Sequence, residues 1–345
     1  MSYAATESKK GPVECGVPQG SVLGPLFFLL YVNDMVKACG DLELILFADD
    51  THVFAEDGNP RDFFKRVNKG LEELSIWFRC NKLTLNLKKT EFIYFGGPGQ
   101  AAMPQEDVRI GSELIRQVQG VKFLGVWIDE GLRWTAYIEK VKCKVSQLLG
   151  VIGRVRTSLG GRAILSLYNG LVLPHLQYCL IVWGDFQGDR NKTIGGNLLK
   201  LQKRFAGMVA GATSRFHADP LFAKYGMLKL EDLYRQQLRI HGWQFWNGEL
   251  PTGQAAMLQR VKDTHGYCTR SAGSKIAVSA RDQGSISYRL PKEWDTLTEE
   301  GKQVKSLTAF KRNSKNSFIG KYKGFRCDIT VCRVCQQALR GHETS

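Results

Sequence analysis

Two short apolar runs, LELILF at 42–47 and THVFA at 51–55, meet at Ala48-Asp49-Asp50, and this junction constrains the fold more than any other feature of the 345-residue chain. Both runs have strand length and strand composition, and a tight polar connection joins them, so they predict a β-hairpin. Two neighbouring carboxylates at its tip crowd negative charge, which a nearby cation relieves. Mg²⁺ is such a cation, because it prefers carboxylate and phosphate oxygens. An Asp-Asp pair in a turn is also an ordinary solvated feature, so the surrounding sequence must decide between the two readings.

Upstream, residues 11–37 open turn-rich and become an apolar helix candidate. Ser21 is placed to cap it, and Pro25 falls in the first turn, where a missing N–H costs little. Downstream, Asn59-Pro60 starts a helix in which Phe63, Phe64, Val67, Leu71, Leu74 and Trp77 recur at helical spacing. Residues 83–87 and 92–95 predict a second strand pair, ended by Gly96-Gly97-Pro98-Gly99, and 121–128 (VKFLGVWI) a further strand and turn. From about Ile138 the pattern is mostly helical to roughly residue 250. Looser Gly/Ser-containing segments occupy 250–285, and SISYRL (285–290) reads as a strand before a Lys-rich helix over 306–322. The expected architecture is α+β in three parts: 1–130, 131–250 and 251–345.

Charge is unevenly placed. Residues 1–60 hold nine acidic and three basic side chains, so the remaining 285 residues carry +21 of a chain whose net charge is +15. A basic body around a small acidic patch suits a polyanion held beside a divalent-cation site. Residues 131–163 contain seven basic side chains against Glu139 alone, and 301–326 contain eight basic and none acidic. Nine scattered cysteines and no signal peptide point to a reduced intracellular compartment, cytoplasm and nucleus, rather than secretion. Two uncharged runs, 16–33 and 163–184, are broken by Pro, Gly, Asn or His, so both read as buried core and no membrane segment is expected.

Thirty residues before Asp49 lies GVPQGSVLGPLFFLLYVND, and with FADD (47–50) it closely resembles reverse transcriptases of non-LTR (LINE-type) retrotransposons, jockey-like elements in particular. NKLTLN (81–86) with Lys89-Thr90-Glu91 resembles the family's next motif, and Phe123-Leu124-Gly125-Val126 its primer-gripping hairpin. The tracts LYNGLVLPHLQYCLIVWG, LLKLQKRFAGMVAG and RLPKEWDTL resemble its helical thumb and C-terminal region. The resemblance implies part of a right-hand polymerase palm, an antiparallel sheet with helices, followed by a mostly helical thumb. It implies RNA-directed DNA synthesis from dNTPs at a two-Mg²⁺ site, on template RNA with a DNA primer made by nicking the target. Asp49 would ligate both ions, with Asp50 as the supporting carboxylate. Pro18, Gln19, Gly20 and Ser21 would set the template base, and Lys89 would assist the leaving pyrophosphate. Phe123, Leu124 and Gly125 would hold the primer end, and Lys140, Lys142, Lys144, Arg154 and Arg156 the duplex backbone.

The family's palm also uses a metal-binding aspartate on a strand upstream of PQG, together with nucleotide-binding fingers. Residues 1–15 hold no aspartate and resemble the end of the hairpin that precedes PQG. The chain is accordingly expected to be a C-terminal part, with Met1 an internal methionine or a shortened gene start, and inactive alone. The alternative is a catalytically dead, truncated relic that only binds RNA or DNA non-specifically. In the tail, Cys327, Cys332, Cys335 and His342 form a Cys₃His set able to take Zn²⁺, although the spacing departs from common finger patterns.

Overall fold

The computed structural model describes residues 16–17, 20–96, 107–184, 192–212, 216–264, 274–278 and 284–323. They fall into two compact units, Met1–Val121 and Lys122–Ser345, and the architecture is α+β.

In the first unit α1 (Gly24–Val32) begins where Ser21 Oγ accepts the Gly24 N–H at 3.0 Å, with Pro25 in the first turn as expected. The hairpin is present: β1 (Glu43–Phe47) and β2 (Asp50–Phe54) pair antiparallel, with Leu44 opposite Val53 and Leu46 opposite Thr51. Helix α2 (Pro60–Cys80) follows and serves two apolar clusters. Leu74 and Phe78 join Val32, Met35, Cys39 and Leu42, while Phe64 and Leu71 join Val108, Ile110 and Ile115. The helix passes so close to Leu42 that a Cβ on Gly70 would stand 2.4 Å from Leu42 Cδ1. Four short strands follow in the unit. These are β3 (Glu91–Phe92), then β4 (Arg109–Ile110) paired antiparallel with β5 (Glu113–Leu114). Then β6 (Arg116–Gln117) lies parallel to β3. Side chains of α2 pin β4: Asn68 accepts the Arg109 N–H at 2.8 Å and donates to the Asp107 carbonyl at 2.9 Å.

Two expectations fail here. Residues 83–87 form no strand, and β3 is only two residues long. Leu83, Leu85 and Leu87 do alternate inward, half-buried against the two clusters, and this alternation is what mimics a strand. Among the described residues no neighbouring backbone extends the ladder, so the segment packs without pairing. The run 16–33 is not buried core either. Leu26, Phe27, Leu29 and Tyr31 are about half exposed and Leu30 is 66% exposed. A helix that is apolar all round buries only the sides that have neighbours, and in this unit those are Val32 and Phe28.

The second unit is built on helices. At its start, β7 (Gly120–Phe123), which spans the boundary, and β8 (Val126–Asp129) make the expected strand and turn. Leu124 (φ 42°) and Gly125 (φ 87°) both take left-handed conformations, the requirement of a tight type I′ hairpin. The helices are α3 (Thr135–Val155), α4 (Gly161–Leu167), α5 (Leu173–Gln177), α6 (Leu180–Trp183), α7 (Lys192–Ala210), α8 (Asp219–Tyr225) and α9 (Leu230–Trp246). After them come α10 (Thr252–Ala255), α11 (Val261–Thr264), α12 (Ile286–Trp294), α13 (Glu299–Lys302) and α14 (Leu307–Lys323). One core runs from Val126 to Tyr322 and includes residues on both sides of position 250. The run 163–184 is core, as expected: Ile164, Tyr168, Val172, Leu176, Leu180 and Trp183 are buried about once per turn. No helix among the described residues is long and apolar enough to cross a membrane.

The strand expected at 285–290 is instead the start of α12. Ser285 Oγ accepts the Ser287 N–H at 3.2 Å and caps the helix, while Leu290 and Trp294 are fully buried. Short β-prone sequences follow the surface they can bury, and here that surface is α9. A buried ionic knot fastens α12 to α9. Glu293 accepts from Arg239 Nε at 2.7 Å and from Arg235 Nε at 2.8 Å, and the Arg239 guanidinium lies 4.3 Å from the Phe318 ring of α14.

Candidate active site and nucleic-acid interface

The paired carboxylates lie where the hairpin reverses. Ala48 (φ 52°) and Asp49 make the two-residue connection, and Asp50 opens β2 directly opposite Phe47. A left-handed backbone at a non-glycine residue costs about 1 kcal/mol or more and persists where the surrounding structure enforces it. Cross-strand partners share a face, so Leu44, Leu46 and Val53 turn toward the core while Ile45, Phe47 and Asp50 occupy the outer face. Phe47 is 60% exposed. Asp49 and Asp50 are both exposed, and no hydrogen bond or ion pair engages either side chain among the described residues. Two adjacent oxygen ligands without a protein cation match the donor chemistry of a hard divalent ion. Among the described residues no third His, Cys, Asp or Glu joins them to form a metal-binding group.

Gly20 (φ +83°) is exposed before α1, and Ser21 is committed to the Gly24 N–H. Pro18 and Gln19 lie outside the described residues. Lys89 is exposed in a turn closed by its N–H to the Asn86 carbonyl at 2.9 Å, and it bonds neither aspartate.

The second unit carries a cleft of about 260 Å³ between the β7–β8 hairpin and helices α3 and α5, lined by Lys122, Trp127, Lys140, Lys144, His175 and Tyr178. The Tyr178 hydroxyl donates to the Leu124 carbonyl and so holds the tip of the hairpin. A Cβ on Gly125 would meet the same ring at an ordinary contact distance of 3.4 Å, so the left-handed φ of +87° rather than crowding favours glycine there. Cys179 (φ 49°) breaks the chain between α5 and α6 and thereby turns Tyr178 outward. Burial pushes the Tyr178 phenol and the Cys179 thiol up, so both stay neutral at pH 7 and leave the cleft's positive charge undiminished.

The five basic residues expected on one surface divide. At about 100° per residue, Lys140, Lys144 and Arg154 fall within about 80° of one another on α3. Lys142 lies on the other flank, where it pairs with Glu139 at 2.8 Å. Lys140 Nζ rests 3.8 Å from the Trp127 ring centroid. Arg156 follows the helix end and is exposed. Lys122 was readable from the period-2 alternation of the hairpin. His175 and Tyr178 arrive from a segment about fifty residues later, and sequence reasoning missed both. Cys327, Cys332, Cys335 and His342 lie outside the described residues.

Residues 2–128 match the family described as Reverse transcriptase (RNA-dependent DNA polymerase). The chain is 29% identical over 193 residues to the Drosophila melanogaster protein named "Probable RNA-directed DNA polymerase from transposon X-element", a match covering 53% of this chain and 21% of that one. It is 26% identical over 196 residues to the RNA-directed DNA polymerase from mobile element jockey of the same fly, again 53% and 21%. A Pol polyprotein of the type-1 retrotransposable element R1 2 of Nasonia vitripennis is 26% identical over 178 residues, 49% of this chain and 43% of that one. The matches thus span about a fifth of the first two relatives. No solved structure matches. Residues 2–128, which carry the hairpin of paired aspartates, thus match the reverse-transcriptase family, and about half of the chain is similar to polymerase proteins of non-LTR retrotransposons.

Proposed function

We propose that the chain works as part of an RNA-directed DNA polymerase that extends a DNA primer, made by nicking the target, on a template RNA. The observation that carries this reading is the β1–β2 hairpin, whose tip presents Asp49 and Asp50 to solvent without a protein counter-charge. In it the two aspartates would hold Mg²⁺, which when bound supplies charge stabilisation at the attacking 3′ oxygen and the leaving pyrophosphate. Gln19 and Gly20 set the template base, and Lys89, exposed in its turn, offers a charge or proton to the pyrophosphate. The basic cleft beside the β7–β8 hairpin holds the sugar-phosphate backbone behind the primer end, with Tyr178 keeping the tip in place. In this reading residues 1–130 form part of a palm and the α3-to-α9 helices a thumb.

Two closely spaced cations need carboxylates from more than one strand, so the hairpin is expected to act together with a further carboxylate. The test is primer extension on an RNA template with Mg²⁺. It compares the 345-residue chain with a chimera in which the X-element relative supplies the polymerase sequence preceding its matched region. Extension by the chimera that is lost in Asp49→Asn supports the reading. Extension that survives Asp49→Asn refutes the metal assignment, and robust extension by the 345-residue chain alone refutes the need for a further carboxylate.

A further inference from the structure

Helix α14 carries Lys311, Arg312, Lys315, Lys321 and Lys323 and contains no acidic residue. Its buried side chains, Phe310, Ser314, Phe318, Ile319 and Tyr322, dock it on α8 and α9. Lys311, Arg312, Lys315 and Lys323 are exposed, and none of the four takes part in an ion pair or side-chain hydrogen bond among the described residues. At about 100° per residue they fall within an arc of about 120°, and from Lys311 to Lys323 the helix rises about 18 Å. The Lys315 ammonium lies against Gly226 at the end of α8, two residues after the exposed Lys224. Lys224 thus adds an exposed cation on the neighbouring helix, two residues from that contact. Other cations of this unit are neutralised: Lys229 by Asp219 at 2.8 Å, Lys302 by Glu299 at 3.1 Å, and Arg235 and Arg239 by Glu293.

We propose that this face of α14 is a nucleic-acid backbone rail, separate from the cleft at the β7–β8 hairpin. It deepens the polymerase reading by naming a second place where the same partner is held. Four unpaired cations spread over about 18 Å match about five phosphates at the 3.4 Å axial spacing of one strand of a duplex. Contacts from such cations to phosphates position a duplex and carry no sequence information directly. The contact is therefore indifferent to sequence.

The experiment measures affinity of the full chain for an RNA–DNA duplex across salt concentrations, for the parent and for Lys311→Gln/Arg312→Gln/Lys315→Gln/Lys323→Gln. Four released counterions correspond to a change of up to about 3.6 in the slope of log affinity against log salt. Between 50 and 200 mM salt the parent is expected to lose about 100-fold more affinity than the variant. Changing the three lysines to arginine is expected to preserve the parental slope, and near-UV circular dichroism verifies that both variants are folded. A control with Lys37, Lys65, Lys82 and Lys88 changed to glutamine removes equal charge elsewhere and is expected to leave the slope near the parental value. An unaltered slope in the α14 variant overturns the proposal, as does an equal loss in the control. Loss of binding to anionic phosphatidylserine vesicles, with duplex binding intact, overturns it in favour of a lipid surface. Primer extension by Asp49→Asn reports on the catalytic reading independently, because this assay needs no catalysis.

Discussion

Removing Glu293 puts a number on the knot that joins α9, α12 and α14. Arg239 is 3% exposed, and its guanidinium has one carboxylate partner, at 2.7 Å. In Glu293→Ala it retains, among the described residues, the Thr296 hydroxyl at 3.0 Å and the Phe318 ring at 4.3 Å. Breaking a buried pair by deleting one partner leaves a desolvated charge and costs about 3–5 kcal/mol. Arg235, less buried, loses its 2.8 Å contact as well and adds a smaller amount. For a unit of this size that corresponds to a fall of about 10 °C in melting temperature. Tryptophan fluorescence during urea unfolding is the assay, because six of the seven tryptophans lie in residues 122–345 and so report on this unit. The double substitution Arg239→Met/Glu293→Leu removes the buried pair and is expected to recover most of the loss, short of the smaller share from Arg235. A loss below about 1 kcal/mol in Glu293→Ala, or a double variant as unstable as the single, would refute the claim that an uncompensated charge sets the cost.

Two further outcomes are expected. Gly70→Ala improves helix propensity by about 1 kcal/mol, yet its methyl would stand 2.4 Å from Leu42 Cδ1. It should therefore destabilise the first unit by about 1 kcal/mol net, and adding Leu42→Ala should restore the helix's tolerance of alanine; urea midpoints decide. Burial holds the Asp232 carboxyl above its ordinary value of 3.8, against the opposing hydrogen bond from Tyr322. Its contribution to stability is thus fully present below that value and is lost as pH rises through the raised one. Asp232→Asn should gain stability relative to the parent at pH 7 and lose that advantage at pH 4, and equal differences at both pH values would contradict the assignment.

Local pattern alone determined much of this molecule. Alternating apolar residues around Asp49-Asp50 specified the hairpin, Phe63 to Trp77 specified α2, and Leu124-Gly125 specified a tight turn, because each is dictated by neighbours within a few residues. The family motifs were equally legible, since PQG and FADD are each short runs of adjacent residues. Tertiary structure decided the rest. Leu83, Leu85 and Leu87 alternate like a strand, but a ladder needs a second backbone alongside, and none is supplied among the described residues. SISYRL has strand composition, but a serine cap and the apolar surface of α9 make it a helix. Helix α1 has no polar side, so its own sequence is silent on which faces find partners. The basic residues of α3 separate onto two flanks because helical geometry and Glu139, rather than their number, set where each ammonium goes. Tyr178 and His175 reach Lys122 and Trp127 only through packing of α5 against α3, a contact across about fifty residues that local pattern does not encode.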